Sequence, residues 1–94
     1  MSREIIELKV SSSSNVADLA AAIVGIMLEN RKADPEILAI GAGALNQAIK
    51  GIIRARGLLA SSASEKVVIN PYFKEVTTSL GEKRTAIACL IERI

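Results

Sequence analysis

The chain has 94 residues, 12 basic and 10 acidic, with a net charge of +2, half its residues hydrophobic, 2% aromatic, one cysteine and no histidine. That length supports one compact core. The missing imidazole removes the commonest general base and metal ligand, and a lone cysteine can form neither an internal bridge nor a thiolate cage, which fits a reducing, cytoplasmic setting.

Met1-Ser2-Arg3-Glu4 opens directly into a strand-like pattern rather than a signal peptide. Ile6, Leu8 and Val10 alternate with Glu7 and Lys9, the period of a strand with one buried and one wet face. Ser11 to Ser14 form a polar loop. Asn15, with Asp18 three residues on, reads as an N-cap before a helix reaching about residue 30. Its buried stripe is Val16, Leu19, Ala20, Ile23, Ile26 and Met27, and Arg31, Lys32 and Asp34-Pro35 supply stop signals. The longest apolar run, Leu19 to Leu28, contains Gly25 and falls short of the ~20 residues that span a bilayer, so no membrane association is expected.

Ile37 to Ile40, between a proline and a glycine-rich turn, predicts an interior strand over Glu36 to Gly41, covered on both faces. Strand, helix and strand then make a right-handed parallel βαβ unit. A second helix is predicted from Ala44 to about Gly57, with Leu45, Ala48, Ile49, Ile52, Ile53 and Ala55 inward and Asn46, Gln47, Lys50 and Arg54 outward. Gly57 reads as its C-cap, with Arg54 and Arg56 near the negative end of the dipole, and Leu58 to Ser64 as a linker. Lys66 to Asn70 and Tyr72 to Thr78 predict a long strand in which Pro71 implies a bulge or an edge position. After the turn Ser79 to Lys83, Arg84 to Ile94 alternates Thr85, Ile87, Cys89 and Ile91 against Ala86, Ala88 and Leu90, completing an antiparallel hairpin. The order is β-α-β-α-β-β, without repeat or domain boundary, so residues 1–94 read as one domain.

The run Ala39-Ile40-Gly41-Ala42-Gly43-Ala44-Leu45-Asn46-Gln47-Ala48-Ile49-Lys50, followed by Ala55-Arg56-Gly57, resembles the signature of the stage V sporulation protein S family. Leu8 to Ser12 with Asn15-Val16-Ala17, and Gly81 to Ile87, resemble that family's opening strand and helix and its final hairpin. The serine-rich loop and the segment before Glu65 depart from the family pattern. The resemblance implies an α/β sandwich, a four-stranded mixed sheet with two helices on one face, similar to the Alba proteins and to the carboxy-terminal domain of a translation initiation factor. It further implies a regulatory nucleic-acid-binding role associated with spore development, although relatives occur where no spores form.

Three features are candidates for that role. Gly41-Ala42-Gly43 lies between a strand and a helix start, where backbone N–H groups and the dipole can hold a phosphate, or where a tight turn alone is needed. Asn46, Gln47, Lys50 and Arg54 form a helix face without an acid, suited to phosphate, sugar or base edges, or simply to solvent. Lys83 and Arg84 sit at the hairpin tip with Lys74 nearby, diluted by Glu75 and Glu82; a charged turn also protects a sheet edge. Tyr72 and Phe73 could stack on bases, but alternation points one of them inward, and core or dimer packing is the expected fate. Ser12 to Ser14 have no base to activate them, and Cys89 reads as a small buried hydrophobe.

The expectation is a non-enzymatic protein without cofactor or metal that binds DNA or RNA. So nearly neutral a chain cannot be drawn bodily onto a polyanion, and the interaction must be made by a local patch. High aliphatic content in a short chain implies contiguous apolar surface and hence a homo-oligomer, a dimer or a tetramer. The alternatives are an assembly protein acting through protein contacts, and a module binding a small phosphate or nucleotide at the glycine turn.

Overall fold

The computed structural model describes residues 3–30 and 32–94, so the stop signal expected at Arg31 lies outside the described residues. Strand β1 (Glu4–Val10) leads into helix α1 (Val16–Glu29), strand β2 (Ala33–Ala39), helix α2 (Ala42–Ala63), strand β3 (Val67–Thr77) and strand β4 (Lys83–Arg93). The sheet order is β1-β2-β4-β3. β1 lies parallel to β2, β2 antiparallel to β4, and β3 antiparallel to β4. This is the expected α+β architecture, a mixed four-stranded sheet with two helices. An 18 Å thickness leaves room for one helix layer on one sheet.

The alternation of each strand sorts its side chains between two faces. Val10, Ile37, Ala39, Cys89 and Ile91 meet Leu19, Ala20, Ile23 and Met27 of α1 and Ala44, Ala48, Ile52, Ala55 and Leu59 of α2 in one aliphatic core. Burial pushes the Cys89 thiol pKa up, as expected of a residue acting as a small hydrophobe. Helix α1 starts where its cap predicts, with the Asn15 side chain accepting from the Asp18 N–H at 3.0 Å. It ends on Asn30, whose N–H donates to the Ile26 carbonyl and whose side chain accepts from the Lys32 N–H.

The structure differs from the local expectations at several points. β2 begins at Ala33, so Asp34-Pro35 belongs to the strand rather than to the helix stop. There β2 has β1 on one side, and its pairing with β4 starts only at Glu36, so proline costs no bond toward β4. Helix α2 runs through Gly57 to Ala63, and Leu58 to Ala63 is helix, not linker. Leu59, fully buried, anchors the extension, and Ser61 and Ser62 bond back to the Leu58 carbonyl. The helix stops at Ser64 in the left-handed conformation, φ 53°, with the Glu65 N–H on the Leu59 carbonyl at 3.1 Å. Arg54 and Arg56 therefore lie inside α2, and its last turn carries no base. Ile53, expected inward, is 58% exposed. Finally, Tyr72 and Phe73 both lie outside the core, Phe73 at 78% exposure on the edge strand β3. Pro71 pairs with Cys89 in an unbroken register, so its edge position alone accommodates it.

Candidate nucleic-acid interface

Parallel β1 and β2 end together, Val10 beside Ala39, and antiparallel β4 passes Ala39 at Ile87 on its way from the hairpin tip. The serine loop, the Gly41 turn, the start of α2 and the β3–β4 turn consequently gather at one end of the sheet. The apposition of the first two is close. A Cβ on Gly43 would stand 2.9 Å from the Ser12 Cβ, and the Gln47 amide donates to the Ser14 carbonyl at 2.8 Å. The serine loop is held by its own hydroxyls, with the Ser11 N–H donating to Ser14 Oγ at 2.9 Å.

Gly41 turns the chain into α2 at φ 90°, a conformation that favours glycine, and offers no side-chain cap. No acid occupies the first turn. The first N–H groups of α2 thus have neither an intrahelical acceptor nor a carboxylate beside them. Beyond them Asn46, Lys50 and Arg54 are exposed, whereas Gln47 is half-buried and spent on the serine loop. At a rise of 1.5 Å per residue, Arg54 stands about 18 Å along the axis from Ala42. Gly41 to Ala44 and Arg54 therefore form a track rather than a single pocket.

The hairpin cluster divides. Register puts Lys83 opposite Thr77 and Arg84 opposite Val76, so the two side chains leave opposite faces of the ribbon. Lys83 stands 3.8 Å from Glu75. Lys74 is committed elsewhere, its ammonium donating to Glu36 Oε1 at 2.8 Å and to Glu7 Oε2 at 2.6 Å. Of the three expected cations, Arg84 alone makes no ion pair among the described residues.

Sequence reasoning missed the cluster that claims Lys74. Glu36 is fully buried on the sheet face away from the helices. The Tyr72 hydroxyl donates to its carboxylate beside Lys74. The intervening strand β4 carries Ala88 opposite Tyr72 and Ala86 opposite Lys74, both fully buried, so the two long side chains of β3 reach across β4 to β2. The bond to Glu36 is the main cause that raises the Tyr72 pKa, with loss of solvent adding to it; bonds to Glu36 and then Glu7 raise that of Lys74. The available signal was acids beside an apolar strand run: β2 buries both Asp34, which pairs with Arg3 and Arg93, and Glu36, and each buried carboxylate demands a partner.

Among the described residues no group of three or more His, Cys, Asp or Glu could hold a metal ion, and no helix is long and apolar enough to cross a membrane. A protein-family model described as stage V sporulation protein S (SpoVS) matches residues 6–94, nearly all of the chain, and the chain belongs to that family, which associates it with sporulation.

Proposed function

We propose that the chain is a nucleic-acid-binding regulatory protein of the stage V sporulation protein S type, acting in the cytoplasm as a homo-oligomer, a dimer or a tetramer. It holds the phosphate backbone with Gly41, Ala42 and Gly43 at the start of α2, with Asn46, Lys50 and Arg54 along that helix, and with Lys83 and Arg84 at the hairpin. Gln47 supports the site by tying the serine loop to α2. No catalytic step is assigned, and the family is not a known enzyme family.

The observation that carries this reading is α2 itself. Its 22 residues include Lys50, Arg54 and Arg56 and no carboxylate, in a chain with 10 acids. None of the three cations makes an ion pair among the described residues. Phosphate neutralisation by such cations releases counterions, so affinity should fall linearly with salt on logarithmic axes. A titration of labelled DNA and RNA at low and rising salt is expected to give that line. Replacing Lys50 and Arg54 by Ala should flatten its slope by about 0.9 for each duplex phosphate that is no longer neutralised. Absence of any low-salt affinity for either polymer would overturn the reading.

A second reading, an assembly protein acting through protein contacts, is favoured by one feature. Exposed Ile53 of α2 and Ile69 and Phe73 on the helix side of β3 form an apolar strip. In the first reading a second copy covers that strip; in this one a different protein does. Partner capture that survives nuclease treatment supports the second, and capture abolished by nuclease supports the first.

A further inference from the structure

We propose that an apolar recess on the helix-free face of the sheet, at the end shared by the Gly41 turn and the hairpin, accepts one unstacked base of a single-stranded nucleic acid whose flanking phosphates meet Lys9 and Arg84. This rests on the nucleic-acid reading above and names the kind of strand bound, which that reading leaves open.

The recess encloses about 210 Å³, with Leu38, Ile40 and Val76 as its apolar walls and Lys9, Thr77 and Thr78 at its margin. Its origin is local. Tyr72 and Lys74 lean across β4 toward Glu36, and beyond them the small, fully buried Ala86 lines the recess. Ile40 remains 37% exposed there. The volume lies below the ~300–1,000 Å³ of sites for drug-sized ligands, which limits the occupant to a single ring or side chain.

Charge selects between these. No carboxylate lines the recess. Lys9 lies on its margin, and Arg84 is directly opposite Val76 in the β3–β4 register. Neither cation makes an ion pair among the described residues, whereas Lys74 and Lys83 both do. A base carries its own anionic linkages on either side and can use both cations; an apolar protein side chain uses neither. Thr78, whose hydroxyl oxygen accepts from the Glu82 N–H, keeps its O–H to donate to a base edge. Bases paired within a duplex cannot enter, because their faces are stacked on neighbours.

Fluorescence anisotropy with a labelled single-stranded oligonucleotide, the same strand with abasic residues, and the corresponding duplex tests the assignment. The abasic strand keeps the phosphates and lacks the bases. The wild-type protein should bind the base-bearing strand about tenfold more tightly than the abasic one, the equivalent of ~1.4 kcal/mol. Ile40→Asn, which makes one half-exposed wall polar without changing charge, should abolish that preference and leave abasic binding intact. Arg84→Ala should weaken both strands, and the circular dichroism of each variant checks that it is folded. Equal binding of base-bearing and abasic strands by the wild type would overturn this inference while leaving the phosphate-binding reading standing. Failure of all three probes to bind would overturn both.

Discussion

Glu36 has a carboxylate with no exposure to water, held by a phenol and an ammonium from a strand two places away in the sheet. Removing one partner of a buried charge exposes the other to the full desolvation penalty. Lys74→Met should therefore lower stability by about 1–3 kcal/mol, at the modest end for such pairs because the lysine side chain is 35% exposed, read as a shift in the urea midpoint. Both partners have raised pKa values. A folded state that keeps its protons longer than the unfolded chain is most stabilised below the unfolded pKa and loses that contribution as pH climbs through the folded one. The unfolding midpoint of the wild type should accordingly fall more steeply above pH ~10 than that of Tyr72→Phe. The chain has one tyrosine and no tryptophan, so phenolate absorbance reads this residue alone, and its titration should lie above the ordinary tyrosine value of 10.0. A titration at or below that value would show that the bond to Glu36 does not persist in solution. None of this was legible locally: alternation assigns Glu36 to a strand, but its partners lie 36 and 38 positions away.

Helix α1 was readable because its signals are short-range, an asparagine cap and a stripe at three-and-four spacing. The far end of α2 was not. Gly57 resembles a C-cap in sequence, and only the burial of Leu59 against the core outweighs its helix-breaking tendency. Two glycines of α2 separate these effects. A Cβ at Gly57 would meet nothing within 4 Å, so Gly57→Ala should stabilise the protein by about 0.5–1 kcal/mol through helix propensity. A Cβ at Gly51 would fall 2.5 Å from Leu19 Cδ2, where the two helices cross closely. Gly51→Ala should therefore destabilise by about 1–3 kcal/mol. Urea denaturation of the pair should show midpoints moving in opposite directions; a fall for Gly57→Ala would argue that the chain leaves the helix there.

Across the whole molecule, the cations proposed for nucleic acid are few and a single copy carries a net charge of only +2. A second copy seated on the apolar strip would double them on one assembly. Replacing Phe73 and Ile53, 78% and 58% exposed, by Ser should then lower the sedimentation mass to that of one chain and weaken polynucleotide binding, while leaving the unfolding transition of the monomer cooperative. An unchanged mass would remove the strip from the self-contact. Composition announced that some apolar surface would be left over, but not where. Strand order settles its place: with β3 on the edge beside β4, its helix-side residues extend past the cover that α1 and α2 provide.

By itself the sequence determined the element types and their order, most of the buried stripe of each helix, the family, and the absence of histidine chemistry. The family rests on the run from Ala39 to Lys50, and the rest on periodicity, caps and composition, which act within a few residues. The tertiary structure alone decided that Lys74 and Gln47 are engaged, that Lys83 is paired while Arg84 is not, that Glu36 needs two partners from β3, and that an apolar recess opens beside Lys9. Those outcomes depend on which strands become neighbours and in what register, a property of the whole sheet that no local window contains.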